Sequence, residues 1–294
     1  MVKQTAAKPG FTIDPQLAYP SRSLFETLRE NVAELMQEFP GPAYITSFPS
    51  SQNLVDLFHG EWSSSFPPPF SHLQAGPIPL FQDSRLAWAI QTLGGVTGFR
   101  VLELGPLEGG HSYMLDRAGS ASITAIEANP RAFVKCLLAK EILGMPRVIF
   151  RLGDFREFLA ATSDTWDLCV ASGVLYHMLE PVELLKKLAA RTNRLFLWTH
   201  YYDETLVNEN DHIKQRFGPK VLRHDGEFTY TLHQYDYLAD EGSAFTGGTA
   251  HHAHWLTRTD ILSALQHFGY RNFQTSSETP DHPHGPAFAL LATR

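Results

Sequence analysis

Short apolar runs recur from about residue 99 onward, and helical patterns separate most of them. The runs lie at 99–104, 122–127, 147–152, 166–171 and 193–199, with two more near 270–276 and 286–292. Apolar runs of this length are typical of strands that are buried on both faces of a sheet. Their alternation with helices predicts an α/β fold built on a doubly wound, mostly parallel seven-stranded sheet.

The clearest predicted helix covers residues 129–144, NPRAFVKCLLAKEILG. Asn129 is a good N-cap, Pro130 suits the first helical position, and Gly144 can close the carboxyl end. Another helix is predicted over residues 23–39, where apolar residues recur at spacings of three and four. We expect this second helix to pack on the main domain.

Residues 1–80 differ in pattern from the rest and are predicted to form an N-terminal arm. The first stretch lacks periodicity, the helix follows, and residues 40–80 are rich in proline, serine and aromatic side chains. Aromatic residues at this density are unusual in a disordered linker. We therefore expect Phe58, Trp62 and Phe66 to be buried.

The main domain is predicted over residues 81–294, with a cap inserted at about 201–256. The alternation of strands and helices stops after residue 200 and resumes with a helix in TRTDILSALQHFG. Within the cap, the stretch GEFTYTLHQYDY at 226–237 has alternating aromatic residues, which predicts a β-hairpin. We expect the insertion to cap the sheet.

Composition narrows the class of partner. The formal net charge of −7 gives no long-range attraction to a phosphate backbone, which argues against a nucleic acid partner and favours a small molecule.

Two cysteines, Cys136 and Cys169, are too few for a disulfide framework. No segment approaches the about 20 apolar residues that a membrane span requires. We expect a soluble, cytoplasmic protein, and the sequence carries no signal of its oligomeric state.

The first strand runs into a glycine-rich loop in RVLELGPLEGGHSYML, residues 100–115. Its glycines do not have the G-x-G-x-x-G spacing of a dinucleotide site. Gly105 allows a sharp turn, and Gly109 and Gly110 would let the backbone approach a ligand. Glu103 and Glu108 place two carboxylates in the loop region. This charge suits a ligand with a positive charge and an amino acid moiety better than a diphosphate.

Two more acidic positions follow at the ends of the next strands. Glu127 ends the second strand, 22 residues after Gly105, where a carboxylate can accept both hydroxyls of a ribose. Asp154 and Phe155 end the third strand, where they can bond an adenine amino group and cover its ring. Because these positions fall at the ends of consecutive strands, their side chains can together bind one adenosine.

The ordered motifs VLELGPLEGG, AIEANP, GDF and DLCVASGVLYHM resemble those of class I S-adenosylmethionine-dependent methyltransferases. Together with DLFHGEWSSSFP they are similar to a bacterial subfamily of these enzymes, over roughly residues 53–202. The resemblance implies a Rossmann-like methyltransferase fold and S-adenosylmethionine as cofactor. It places the methionyl part on the backbone of Gly105 to Gly109, the ribose on Glu127 and the adenine on Asp154. The predicted cofactor residues are Glu103, Gly105, Leu107, Gly109, Glu127, Ala128, Asp154, Phe155 and Ser172.

One position departs from the commoner E/D-x-G-x-G-x-G loop of that family. Leu107 stands where the middle glycine is expected. The sequence therefore does not determine the backbone path of this loop. The predicted class of cofactor does not depend on that path, because it rests on all four motifs.

Methyl transfer to a hydroxyl needs a base, whereas an amine needs only to be neutral. His200 follows the fifth strand and is the first candidate base, with Asp203 to orient it. His177 in VLYHM is the second candidate, and it alternatively braces the loop. His254 is the third, predicted to face the acceptor from the cap.

Two histidine clusters allow other interpretations. His251, His252 and His254 with Asp203 or Glu204 would be a metal site, but adjacent histidines do not easily share one ion, and no metal is predicted. His282 and His284 are predicted to lie in an exposed turn.

The predicted function is methyl transfer to a hydroxyl or amine of a small-molecule acceptor. One alternative is an RNA-modifying methyltransferase, because GVLYHM also resembles tRNA wobble-uridine modifying enzymes, although the acidic composition counts against it. A second alternative is a non-catalytic, cofactor-binding partner subunit. An NAD-dependent dehydrogenase is disfavoured because the loop lacks the dinucleotide spacing.

Overall fold

The computed structural model describes residues 44–237 and 250–294. Residues Ser50–Arg294 belong to one compact unit, and residues 44–49 belong to a separate N-terminal unit. Residues 1–43 of the predicted arm, which include the predicted helix over 23–39, and residues 238–249 of the cap lie outside the described residues. The proposed division of the chain at residue 80 stays a prediction.

The main sheet has seven strands, as the pattern of apolar runs predicted. Its strands are β1 (Arg100–Leu104), β2 (Ser122–Glu127), β3 (Val148–Leu152), β4 (Leu168–Ser172), β5 (Arg194–His200), β9 (Asn272–Thr279) and β10 (Ala287–Thr293). Their order is β3-β2-β1-β4-β5-β10-β9. The first five strands pair in parallel, and β10 runs antiparallel to both of its neighbours. The prediction of a doubly wound, mostly parallel sheet is confirmed.

Nine α-helices occur in the described part of the chain. They are α1 (Ser51–Asp56), α2 (Ser84–Thr92), α3 (Gly110–Arg117), α4 (Pro130–Leu143), α5 (Phe155–Ala161), α6 (Pro181–Ala189), α7 (Glu204–Asn208), α8 (Asp211–Lys214) and α9 (Arg258–His267). Two 3₁₀ turns lie at Leu80–Gln82 and Leu175–His177. The ends predicted for α4 are confirmed: Asn129 caps it, Pro130 begins it, and Gly144 follows in the left-handed region.

Each face of the main sheet carries its own apolar core. Along β1, Leu102 and Leu104 contribute to one cluster, and Val101 contributes to the other. The first cluster includes residues of α5, α6 and α9, and the second includes residues of α1 to α4. Burial on both faces explains why the strands have apolar runs without polar alternation.

The proline-rich segment before the sheet is ordered against the second of these clusters. Phe58, Trp62 and Phe66 are all buried, as predicted. The ring of Phe66 lies 5.3 Å from that of Trp62 and also 5.3 Å from that of Phe81. Aromatic packing therefore compensates for the lack of regular structure in this segment.

A separate three-stranded antiparallel sheet forms part of the predicted cap. It contains β6 (Phe217–Asp225), β7 (Phe228–Asp236) and β8 (His252–Trp255) in the order β6-β7-β8. The predicted hairpin is present and is formed by β6 and β7. The turn lies at Gly226, which has a left-handed φ of 61°, so the alternating stretch is one continuous strand rather than two.

Candidate functional site

The carboxyl ends of β1 to β4 bring most of the predicted cofactor residues to one edge of the sheet. In the loop after β1, Gly105, Leu107 and Gly109 have φ angles of 62°, 57° and 82°. Leu107 is the one non-glycine residue with a positive φ in the described part of the chain. The loop therefore keeps, at the position of the missing glycine, a backbone conformation that glycine favours, at a cost of about 1–2 kcal/mol.

Glu127, at the end of β2, fixes this loop. Its Oε2 accepts a hydrogen bond from the N–H of Leu107 at 3.1 Å, and its Oε1 accepts one from the N–H of Asn129 at 2.9 Å. Burial raises the pKa of Glu127, and the backbone N–H groups around it oppose that rise. A carboxylate has about four acceptor positions, so two bonds from the chain leave capacity for a ligand.

Glu103, at the end of β1, is more buried than Glu127. It is 2% exposed and accepts a hydrogen bond from the hydroxyl of Ser112. Burial raises the pKa of this carboxyl group. Glu103 thus supports the loop from below and orients the first turn of α3.

Glu108 does not face a ligand, and the expectation of two loop carboxylates was wrong for this residue. Its two oxygens accept hydrogen bonds from the N–H groups of Ser63 and Ser64 at 2.9 and 2.8 Å. Its Oε1 also pairs with Nζ of Lys135 at 2.7 Å. Glu108 therefore joins the proline-rich segment to α4, and its charge is neutralised inside the fold.

Gly110 has a packing role, and its predicted approach to a ligand stays a prediction. A Cβ built at this position would lie 2.6 Å from the carbonyl oxygen of Leu80. The start of α3 therefore needs glycine because another segment of backbone crosses it closely.

The third strand end holds the predicted adenine residues. Asp154 caps α5 by accepting from the N–H of Arg156 at 2.7 Å, and it also pairs with that guanidinium. Phe155 is buried in the core beneath. Ala128 is exposed after β2, and Ser172 is partly buried at the end of β4. Asp154 is partly exposed at the strand ends, whereas Phe155 is mainly a core residue.

His200 ends β5 inside a group of aromatic rings. Its Nδ1 lies 2.8 Å from the carbonyl oxygen of Gly285. A carbonyl oxygen only accepts, so Nδ1 carries the proton and Nε2 has the free lone pair. The ring stacks on Trp255 at 5.1 Å with an interplanar angle of 8°. Burial and the nearby His282 lower the pKa of His200 to about 4.

The residue predicted to orient His200 has another role. Asp203 caps α7, accepting from the N–H groups of Thr205 and Leu206 at 3.0 Å each. The prediction for Asp203 was wrong, because the carbonyl oxygen of Gly285 orients the imidazole of His200.

His177 belongs to the same group of rings as His200. Its Nδ1 lies 2.6 Å from the hydroxyl oxygen of Tyr237. Tyr176 stands between the two histidines, 4.1 Å from the ring of His177 and 4.6 Å from that of His200. Burial, with a smaller effect of His200, lowers the pKa of His177 to about 3. The hydrogen bond between His177 and Tyr237 joins the loop after β4 to the cap.

His254 lies apart from the other two predicted bases. Successive residues of a strand point to opposite faces, and the next residue, Trp255, is the one that stacks on His200. The Nδ1 of His254 instead bonds the carbonyl oxygen of Leu179 at 2.6 Å. The structure therefore brings His177 and His200 together but places His254 on the other face of β8.

Sequence reasoning missed several residues around His200. His282 is half-buried in the turn before β10, and its ring is 4.9 Å from that of His200, so the expected exposed turn was only partly right. Trp198 is 5.2 Å from His200, and the guanidinium of Arg85 lies 4.4 Å above its indole ring. No spacing links these positions, because the sheet brings together strands that are distant along the chain.

A cavity of about 410 Å³ lies beside the cap. Tyr202 stacks on His233 at 3.6 Å in its wall, and burial lowers the pKa of His233 to about 4. Tyr201 and Arg258 also line it. The cavity is separate from the loop after β1.

Three other features of the described residues are their potential metal ligands, their two thiols and the length of their helices. Within residues 44–237 and 250–294, no group of three or more His, Cys, Asp or Glu is arranged to hold a metal ion. Cys136 and Cys169 are buried and unpaired, and burial raises the pKa of each thiol. No helix in this part of the chain is long and apolar enough to cross a bilayer.

The sheet order and the flanking helices define a Rossmann-like, class I methyltransferase fold. No family model and no curated protein matches the chain. Among solved structures, it is similar to the N-terminal domain of EvdMO1 in the presence of SAH and D-fucose, with 23% identity and a TM-score of 0.64, over 83% of this chain and 94% of that chain. The same domain with SAH bound gives 22% identity, a TM-score of 0.63 and the same coverage.

A third similar structure is magnesium protoporphyrin IX methyltransferase (ChlM) from Synechocystis PCC 6803 with bound SAH. It is 16% identical with a TM-score of 0.48, over 93% of this chain and 100% of that chain. At 23% and 22% identity, the likeness to the N-terminal domain of EvdMO1 shows the fold alone.

Proposed function

We propose that this protein binds S-adenosylmethionine along the carboxyl ends of β1 to β4 and transfers its methyl group to a hydroxyl or amine of a small molecule. The single observation that carries the proposal is the Glu127 carboxylate, which the N–H of Leu107 holds against the glycine-rich loop. The binding of SAH by the N-terminal domain of EvdMO1, which has the same fold, supports it.

The residues at the strand ends fit such a cofactor. Three left-handed positions give the loop from Gly105 to Gly109 a curved backbone. At Gly105 a Cβ would lie 2.8 Å from Cγ1 of Val174, so a side chain has no place on the inner side of the turn. Glu127 has acceptor capacity for a ribose diol, and Asp154 stands at the next strand end for an adenine amino group.

When bound, S-adenosylmethionine supplies a methyl group on a sulfonium, which an acceptor attacks in line. Most of the protein's contribution is then positioning. For a hydroxyl acceptor, Nε2 of His200 takes the proton, because Nδ1 already donates to Gly285. For an amine acceptor no base is needed, and the same imidazole orients the nitrogen.

The rings around His200 support a small acceptor. The rings of Tyr176, Trp198 and Trp255 lie around the imidazole, which is 4% exposed. Such rings pack well against planar molecules and sugars. The net charge of −7 gives no corresponding support to an RNA acceptor.

Calorimetric titration with S-adenosylmethionine, SAH and NAD tests the cofactor. We expect micromolar binding of the first two and none of NAD. Glu127→Gln should weaken SAH binding by about 10-fold or more, because bonds to a charged acceptor contribute about 1.5–3 kcal/mol. Glu141→Gln, an exposed change on α4, is the matched control.

Two results would overturn the proposal. One is a protein that binds NAD in place of SAH. The other is unchanged SAH affinity in Glu127→Gln. A protein that binds SAH but methylates no acceptor in a broad screen would instead support the partner-subunit alternative.

A further inference from the structure

The first turn of α2 holds an arginine in a fixed orientation beside the rings around His200. Asp83 caps this helix, and its Oδ1 accepts from both the N–H and Nε of Arg85 at 2.9 Å. Its Oδ2 accepts from Nη2 of Arg85 at 2.5 Å and contacts Nε2 of His111 at 2.8 Å. Burial opposes the charge of Asp83, but the bonds from His111 and Arg85 outweigh it and hold the pKa far below its usual range.

The same local motif occurs a second time, at the start of α5. Asp154 caps that helix and binds Arg156 through Nε and Nη2, with distances of 3.0 and 2.5 Å to Oδ2. There the guanidinium is 53% exposed, whereas that of Arg85 is 26% exposed. We call this pairing of a capping aspartate with the arginine two residues later an Asp-x-Arg clasp. The clasp at Asp154 caps its helix although, among the described residues, no indole ring lies against Arg156. Helix capping therefore does not explain why Arg85 lies over the indole ring of Trp198.

The guanidinium of Arg85 has one edge left for a ligand. Nε and Nη2 form the edge that faces Asp83, and Nη1 has no partner among the residues that the structure describes. Nη1 and the second N–H of Nη2 form a two-donor edge. This edge has the geometry that binds a carboxylate through two parallel hydrogen bonds.

The position of this edge suits an acceptor molecule. The guanidinium carbon is 4.4 Å from the Trp198 ring centre, and that centre is 5.2 Å from the ring of His200. A small planar molecule that lies along Trp198 would be long enough to contact both the free edge of Arg85 and the imidazole of His200. The Trp198 ring is also 6.0 Å from both Tyr176 and His282, so aromatic rings line the path.

The Arg85 guanidinium is the positively charged group that lies over Trp198. The pKa of His282 is lowered by burial and then by its neighbours His284 and Arg85, with Asp281 as the opposing acidic neighbour. The pKa of His200 is lowered by burial and then by His282. The lowered pKa values leave both imidazoles uncharged near neutral pH, so the positive charge that a carboxylate would meet beside Trp198 is that of Arg85.

We propose that Arg85 binds a carboxylate of the methyl acceptor, with Asp83 as the positioning residue that directs its free edge. The acceptor is then a small, planar hydroxy or amino acid, whose reacting group lies at His200. This inference rests on the proposed methyl transfer and deepens it by naming the class of acceptor.

Matched pairs of hydroxybenzoates and hydroxybenzamides test the proposal, because the two differ only in charge and in the second carboxylate oxygen. Each is titrated calorimetrically into the full chain saturated with SAH. We expect 3,4-dihydroxybenzoate to bind at least about 10-fold more tightly than 3,4-dihydroxybenzamide, in line with a charge-assisted, two-donor bond. In Arg85→Gln this ratio should fall to about 1, while SAH affinity stays unchanged.

Arg85→Lys keeps the charge and loses the paired donors, so an intermediate ratio is expected. Arg156→Gln opens the other clasp and shows how much of any loss of melting temperature comes from capping alone. If Arg85→Gln fails to fold, the intermediate ratio in Arg85→Lys decides.

Equal affinities for acid and amide would overturn the proposal, as would an acid preference that Arg85→Gln retains. Binding of SAH without binding of any acid in the panel would also overturn it. Failure of the wild-type protein to bind SAH would instead refute the proposed cofactor, and titration with the acids alone would still report on Arg85.

Discussion

The buried pair of Lys135 and Glu108 offers a sharp test of how the loop after β1 is supported. Lys135 is 3% exposed and Glu108 is fully buried in its side chain, with Nζ and Oε1 2.7 Å apart. Nζ also donates to the carbonyl oxygen of Glu61 at 2.8 Å. In Lys135→Met the carboxylate would stay buried, with only the N–H groups of Ser63 and Ser64 as partners.

Removing one member of a buried pair costs about 3–5 kcal/mol, because it leaves an uncompensated charge. Urea denaturation, followed by far-ultraviolet circular dichroism, measures the loss. The double variant Lys135→Met with Glu108→Gln should recover much of it, because no charge stays buried. The control is Lys186→Met, whose partner Asp225 is 3.0 Å away at an exposed site, where about 0–1 kcal/mol is expected.

A loss below about 1 kcal/mol in Lys135→Met, or one equal to that of Lys186→Met, would refute this reasoning. It would mean that Glu108 finds another partner or turns to water when Lys135 is removed. The loop would then not depend on the pair.

Two further predictions concern stability. Gly110→Ala lies in the first turn of α3, where helix propensity alone would stabilise by about 1 kcal/mol. The added Cβ would lie 2.6 Å from the backbone oxygen of Leu80, so we expect a loss of about 1–3 kcal/mol in urea denaturation; a gain would contradict the close crossing. His200 has its pKa lowered from 6.5 to about 4. The unfolded chain therefore binds the extra proton first, and stability should fall by about 3 kcal/mol as the pH drops from 6.5 to 4. In His200→Gln, denaturation at pH 7 and 4.5 should show a fall that is smaller by about that amount, and an unchanged fall would contradict the lowered pKa.

The sequence was sufficient for the main sheet because each strand carries its own signal. A parallel strand buried on both faces must be apolar throughout, so runs such as FRVLEL and WDLCVA mark strands without reference to their neighbours. The ends of α4 were predictable for the same reason, since Asn129, Pro130 and Gly144 act within a few residues. The alternating aromatic residues indicated the hairpin but not its partner strand, because alternation identifies a strand and not where it pairs.

The loop after β1 shows where local reasoning about charge fails. Glu103, Glu108 and Glu127 are similar in sequence terms, yet their partners separate them. Glu108 is neutralised by Lys135, which lies 27 residues further along the chain. Glu127 meets N–H groups of the loop itself. A carboxylate is open to a ligand only where the fold leaves it without a cation, and that depends on tertiary packing.

The two Asp-x-Arg clasps show that the candidate acceptor site also depends on tertiary packing. Asp83 with Arg85 and Asp154 with Arg156 make the same bonds at the same helix position. Helix capping accounts for both, and nothing local distinguishes them. The difference arises because β5 places Trp198 under the first guanidinium, whereas more than half of the second remains exposed. If Arg85 binds the acceptor, substitutions at the two arginines will have similar effects on stability and different effects on ligand selectivity, because the first property is local and the second is tertiary.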